Sequence, residues 1–212
     1  MNTLETRPEV AIVRTGSANI ASVSAALARL GAVPRIVDEP DPVREAAIAV
    51  LPGVGAFGAA MTQLRARGLD EAIRDRVRDE RPLLAICLGM QLLCESSDES
   101  PGVEGLGIVP AHVGRFACDE RVPQMGWNRI DPSDDCTLLE PAWMYFAHSF
   151  RVERVGCGAG IATSSYGGSF VSALERGTLL ACQFHPELSG TSGLALMRRW
   201  MARATAKAVA PC

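Results

Sequence analysis

Leu83-Leu84-Ala85-Ile86-Cys87-Leu88-Gly89-Met90-Gln91 is the stretch whose reading decides the fold. An unbroken apolar run at 83–86 leaves no face for water, so it predicts a strand buried on both sides, as in a parallel sheet covered by helices. The next residues turn the chain sharply into a predicted helix. A buried strand ending in small-x-Cys-x-Gly at a helix start is the thiol form of a nucleophile elbow. Small residues on either side let the chain turn tightly and lift the sulfur out of the sheet. The helix N-terminus favours an anion at that point, and the Leu88 N–H can face a developing oxyanion.

Working outward, the same alternation recurs. A strand at 10–13 runs into Gly16-Ser17-Ala18-Asn19, and Ile20, Val23, Leu27 and Leu30 then follow at helical spacing. Asn19 stands near the N-cap of that helix and Gly31 stops it. Strands are predicted at 33–37 and 46–51, the second ending at Pro52-Gly53-Val54-Gly55. Met61, Leu64, Leu69, Ile73 and Val77 hold helical positions, interrupted near Gly68. Strands alternating with amphipathic helices predict an α/β fold with a mostly parallel, doubly wound sheet flanked by helices. Beyond residue 106 the rhythm shortens to segments at 106–109, 122–130, 143–150, 159–163, 169–174 and 179–184. These are expected to form an antiparallel C-terminal extension of the same sheet. A last helix at 191–205 carries Leu194, Met197 and Met201 on one face. A single domain over 1–212 is expected, with ends frayed at about 1–8 and 206–212.

Composition agrees with that architecture. At 212 residues, 48% apolar and 21% charged with 20 Gly and 13 Pro, the chain is neither collagenous, coiled-coil nor largely disordered. Twenty-one basic against 24 acidic residues give a formal charge of -3, so neither nucleic acid nor an anionic membrane is an expected partner. The start has no apolar signal core, and the longest apolar stretch, 83–93, is too short to span a bilayer. Seven cysteines in no paired pattern read as reduced thiols in a cytoplasmic protein. There is no C-x-x-C, and the three scattered histidines give no metal-ligand cluster, so no metal and no cofactor is expected.

A thiolate nucleophile needs a base, and only His112, His148 and His185 are available. His185 lies in Gln183-Phe184-His185-Pro186-Glu187 at the end of a predicted strand, where Glu187 is near enough to orient the imidazole. His112, in a strand-like Ala-His-Val-Gly segment, reads as a surface or core histidine. His148, among the aromatics of Tyr145-Phe146-Ala147-His148-Ser149-Phe150, suits a pocket wall. The Gly53-Val54-Gly55 turn allows a backbone N–H to approach a substrate, and it lacks the spacing and the Lys of a nucleotide site.

Taken together, these segments and Pro123-Gln124-Met125-Gly126-Trp127-Asn128 resemble the class I, triad-type glutamine amidotransferases. Within that family they are most similar to the glutaminase subunits that serve imidazole glycerol phosphate synthases in histidine biosynthesis, over about 10–201. The resemblance implies a Cys87, His185 and Glu187 triad acting on L-glutamine. It implies an oxyanion hole from the backbone of Leu88, Gly53 and Val54, and substrate contacts from Gly55, Gln91 and Ser149. It also implies a heterodimer with a (β/α)₈-barrel cyclase subunit, touched by Asn19, Trp127, Asn128 and Tyr145, with Trp127 exposed in a Met-Gly-Trp-Asn turn. The chain departs from the family pattern at Ala85, where Gly is usual, and at Val13-Arg14-Thr15. At Leu188 a Lys or Arg is usual. Two alternatives stand beside this reading: a glutaminase for a related, sugar-amidating synthase, and a catalytically idle binding subunit.

Overall fold

The computed structural model describes residues 7–15, 19–117, 119–156 and 158–209. Gly16, Ser17, Ala18, Cys118, Cys157 and most of the expected frayed ends therefore lie outside the described residues. The first half alternates as the sequence pattern requires: β1 (Glu9–Val13), α1 (Ile20–Arg29), β2 (Val33–Val37), α2 (Pro40–Glu45) and β3 (Ile48–Gly53). Two helices, α3 (Phe57–Ala66) and α4 (Leu69–Arg78), split at Gly68, precede β4 (Leu83–Cys87) and α5 (Leu88–Leu92). The second half is strand-rich: β5 (Ser96–Ser97), β6 (His112–Arg115), β7 (Gln124–Pro132), β8 (Ala142–His148) and β9 (Phe150–Val152). It closes with β10 (Gly160–Ser165), β11 (Ser169–Arg176), β12 (Leu179–Cys182), a 3-10 turn Pro186–Leu188 and α6 (Gly190–Val209).

The main path of the sheet runs β2-β1-β3-β4-β12-β11-β10-β7-β8, with β5, β6 and β9 branching beside β11. Alternation along β4 explains its unbroken apolar run. Leu83 and Ala85 pack on one face with Phe57, Met61, Leu64 and Ile73 of α3 and α4. Leu84 and Ile86 pack on the other with Val23 and Leu27 of α1 and Trp200 of α6. Both faces are covered, so every residue of the strand is an inside residue. Ala85 sits in register between Leu51 of β3 and Ala181 of β12 without exposure, so its methyl is ordinary core packing.

The structure corrects several expectations. The 179–184 segment is not a purely antiparallel addition: β12 pairs antiparallel with β11 but parallel with β4, Cys182 opposite Ile86. A tight turn at Gly177, with φ 58°, reverses the chain after β11 and lays β12 into the parallel half. Residues 106–109 form no strand, because Leu106, Ile108 and Val109 donate their N–H groups to the Leu92 and Leu93 carbonyls at the end of α5. Trp127 lies within β7, opposite Tyr145, and not in a turn. The last helix runs past 205 to Val209. α2 was not anticipated; its Pro40 opens it at the first turn, where a missing N–H costs nothing.

Candidate active site

Cys87 closes β4 and caps α5 with φ 54° and ψ -111°, a backbone conformation that non-glycine residues rarely hold. Close packing enforces it. A Cβ on Gly89 would overlap the Leu51 carbonyl oxygen, and one on Gly53 would lie 2.9 Å from the Gly89 nitrogen. Two glycines thus let β3 and the start of α5 touch, with Gly53 directly opposite Cys87 in the register. Cys87 ends 7% exposed at the C-terminal edge of the parallel strands, where open α/β sheets bind ligands.

β12 ends on the same edge because it runs parallel to β4, and this brings His185 to Cys87. The His185 N–H donates to the Tyr145 carbonyl at 2.9 Å, and Ser189 Oγ donates to the His185 carbonyl at 2.6 Å. The backbone of His185 is therefore clamped from β8 and from the following turn. Its Nδ1 lies 2.9 Å from Glu187 Oε1, and both side chains are buried. A carboxylate only accepts, so Nδ1 carries the proton and Nε2 faces the sulfur side. Burial opposes charge on this ring, but the hydrogen bonds and charges of Cys87 and Glu187 outweigh it and push His185 up to about 10. The arrangement favours a protonated ring beside the sulfur. Cys94 and Cys182 are different: burial pushes the first up to about 12 and raises the second, which keeps both as neutral core thiols. All four described cysteines are free.

A cavity of about 100 Å³ opens over the sulfur. Val54 and Gly55 line one side, Leu88 and Gln91 come from α5, and Ala147, His148 and Phe150 form the opposite wall. This is well under the roughly 300–1,000 Å³ of drug-sized pockets, so it suits the end of a small side chain. Glu99 also lines it, a residue that sequence reasoning missed. Its Oε2 accepts from the Phe57 N–H at 2.7 Å, at the N-terminus of α3. That long-range contact ties the Glu99 carboxylate to α3; within its polar Ser-Asp-Glu-Ser run nothing distinguishes it. Gly53 stands beside Cys87, one residue behind the lining.

His148 is buried within a cluster of Phe116, Phe146 and Phe170. Its Nδ1 donates to the Phe150 carbonyl at 2.8 Å, and its Nε2 lies 2.9 Å from the Gln124 side-chain amide, which turns its NH₂ to the bare nitrogen of a neutral ring. Burial pushes it down to about 4, so one ring nitrogen is bare near neutrality and His148 is a fixed wall, not a second base. His112 is exposed and bonds Ser96 and Asp98, away from the site. Ser149 bends the chain between β8 and β9; its carbonyl accepts from Phe116 and it does not line the cavity. Asn19 caps α1 by accepting from the Ser22 N–H, and the Asn128 side chain donates to the Ser165 carbonyl. Tyr145 packs edge-on against Trp127, which is 55% exposed and hence not a core tryptophan.

The family model for class-I glutamine amidotransferases matches residues 12–203. The chain belongs to that family. Among its relatives is imidazole glycerol phosphate synthase subunit HisH of Symbiobacterium thermophilum, 42% identical over 195 residues, covering 90% of this chain and 92% of the relative. The chloroplastic imidazole glycerol phosphate synthase hisHF of Arabidopsis thaliana is 39% identical over 91% of this chain, which spans 34% of that longer protein. Among solved structures, a crystal structure of a glutamine amidotransferase superposes with a TM-score of 0.75 at 22% identity, over 92% of this chain and 98% of that one. That amidotransferase shares the fold. In the amidotransferase described here, the Cys87–His185–Glu187 constellation falls at the ends of β4 and β12.

Proposed function

We propose that this amidotransferase is the cytoplasmic glutaminase subunit of an imidazole glycerol phosphate synthase, releasing ammonia from L-glutamine for a (β/α)₈ cyclase subunit. The observation that carries the reading is the pairing of a sulfur held at positive φ with an imidazole already fixed by a buried carboxylate. The Cys87 thiolate attacks the side-chain amide carbon of glutamine. The oxyanion meets the Leu88 N–H and the backbone of Gly53–Val54. His185 gives its Nε2 proton to the departing nitrogen, which leaves as ammonia, and a thioester remains. Water, deprotonated by His185, attacks the thioester and frees glutamate and the thiolate. Gly55, Gln91 and Glu99 bind the amino-acid end, with Ser149 shaping the wall from behind.

Ammonia released into water becomes ammonium and loses its nucleophilic lone pair, so the cyclase must cover the site. There the transferred nitrogen enters imidazole glycerol phosphate, with AICAR as by-product. Met125, Trp127, Trp143 and Leu188 supply an apolar docking face beside His185; Trp143 is 60% and Met125 67% exposed. The match of this chain to one third of the plant synthase supports such a two-part enzyme. The test is Cys87→Ala in the reconstituted complex. It is expected to abolish glutamine-dependent turnover while turnover with added ammonium salts persists, and an electrophilic glutamine analogue should label Cys87 alone. Glutamine hydrolysis surviving in Cys87→Ala would remove the nucleophile from the scheme; failure to couple to a histidine-pathway cyclase would redirect the partner.

A further inference from the structure

We infer that Gln183 is a positioning residue for the nucleophile: its side-chain N–H donates to the Cys87 sulfur, and Gln91 links that donor to the substrate cavity. The inference deepens the glutaminase reading and rests on Cys87 being the nucleophile.

Gln183 follows the last residue of β12, and its N–H donates to the Ser172 carbonyl at 2.8 Å, continuing the strand pairing. Alternation along this extended segment sends Gln183 and His185 one way and Phe184 the other, into the aromatic cluster against Phe146. Gln183 is fully buried. Its Nε2 lies 3.8 Å from Cys87 Sγ, and its Oε1 accepts from Gln91 Nε2 at 3.0 Å. Gln91 Nε2 also donates to the Phe150 carbonyl at 3.0 Å.

Chemistry fixes how both amides point. The Phe150 carbonyl only accepts, so Gln91 must turn its NH₂ toward it. The second N–H of that NH₂ then needs an acceptor, which makes the facing atom of Gln183 its oxygen. The NH₂ of Gln183 is left toward the sulfur. A reversed Gln183 would place two NH₂ groups against each other and an oxygen against the sulfur lone pairs. Two consequences follow. The nucleophile has a fixed neutral donor in addition to His185, and Gln91 has only its Oε1 left for a ligand, as an acceptor.

A hydrogen bond to the charged form favours that form. The titratable groups around the sulfur are His185 and Glu187 after β12, His148 on β8, and Glu99 across the cavity. His148 is neutral, and both carboxylates oppose a thiolate, so among these side chains the Gln183 donor adds to His185. Removing it should shift the pH profile of Cys87 alkylation upward by about one unit, which is about tenfold slower reaction on the acidic side.

The experiment follows iodoacetamide modification of Cys87 against pH by peptide mass spectrometry in the full chain, for wild type, Gln183→Met, Gln183→Glu and Gln91→Leu. Gln183→Met should shift the profile upward, Gln183→Glu further, and Gln91→Leu in the same direction because it releases the Gln183 amide. Wild-type profiles in folded Gln183→Met and Gln91→Leu overturn the inference. A measurement on the unmutated residue stands even where those variants do not fold. The Gln183 side-chain amide resonance should move with the ionisation of Cys87 and stay flat through that pH range in Cys87→Ala; a resonance indifferent to Cys87 also overturns it. Alkylation needs no glutamine, so this outcome is separate from whether glutamine is the substrate.

Discussion

Gly53→Ala tests whether the elbow is held by backbone contact. Gly53 ends β3 directly opposite Cys87. A methyl there would lie 2.9 Å from the Gly89 nitrogen, 2.9 Å from Leu88 Cβ and 3.2 Å from Leu88 Cγ. Nonbonded carbons rest at about 3.5–4.0 Å, so roughly 0.6–1.1 Å must be found by moving β3 or the start of α5. Two of the three atoms belong to backbone or to a Cβ, which cannot swing aside. Overpacking of this kind costs about 1–3 kcal/mol, which for a chain of this size lowers Tm by about 2–12 °C. The same displacement moves the Leu88 N–H relative to the sulfur, and a misplacement near 1 Å costs about 100-fold in rate. The assay is thermal unfolding together with the initial rate of glutamine hydrolysis in the complex. Gly114→Ala is the control, since its nearest neighbour would be Asp98 Oδ2 at an ordinary 3.8 Å. A Gly53→Ala protein with wild-type Tm and rate would refute this account of the elbow.

His148 is neutral in the fold, its value pushed down by burial from 6.5 to about 4, so the stability it contributes is full above 6.5 and is lost as pH falls through 4. Urea unfolding between pH 7 and 4 should show that loss, and His148→Gln should flatten it; an unchanged slope would deny the linkage. Arg76 is fully buried, has no carboxylate partner among the described residues, and donates to the carbonyls of Val43, Ala46, Ala47 and Pro82. Arg76→Met strands those acceptors and should cost about 3 kcal/mol or more in urea unfolding; a loss under about 1 kcal/mol would show that water replaces the guanidinium. Trp127→Ala should weaken cyclase binding by about 30-fold or more, as removal of a central aromatic anchor does, whereas Leu188→Arg should change it by less than about tenfold. Titration calorimetry decides, and equal affinities for Trp127→Ala and wild type would move the docking face elsewhere.

Legibility followed locality. The elbow could be read because its requirements lie within a few residues: an apolar strand, a cysteine, a glycine, a helix. His185 and Glu187 could be read for the same reason, being two positions apart at a strand end. The pairing of β12 could not. A strand pattern says which residues are extended but not which neighbour they choose, and only the β11–β12 hairpin decides that β12 lies parallel to β4. The 106–109 run carries the apolar residues of a strand, yet its N–H groups are taken by the end of α5. The Met-Gly-Trp-Asn segment reads as a turn, yet it lies within β7. In the strand, Gly126 adopts φ 134° and the out-facing positions 125, 127 and 129 continue the alternation. Glu99 was illegible for want of any local signal, its carboxylate being tied to the α3 N-terminus.

The cavity's own chemistry narrows what it can hold. Phe150 and Gln183 use both N–H groups of Gln91, so its oxygen is what remains to face a ligand. Glu99 presents a carboxylate, and Ala147 a carbonyl within 3.9 Å of the sulfur. Gln91 and Glu99 are the acceptors for the amino-acid end, the Ala147 carbonyl lies at the sulfur itself, and the backbone N–H groups at the sulfur come from Leu88 and from Gly53–Val54. A ligand that satisfies both ends carries a cationic or N–H-bearing group at one end and a carbonyl that gains negative charge at the other. Glutamine has both, with its α-ammonium suited to the acceptors and its amide carbonyl to the donors. Asparagine shares the groups but is one methylene shorter, so it cannot reach the sulfur and the acceptors together. On this reading substrate choice is set by the distance between two polar ends, and Gln183 ties one of those ends to the nucleophile itself.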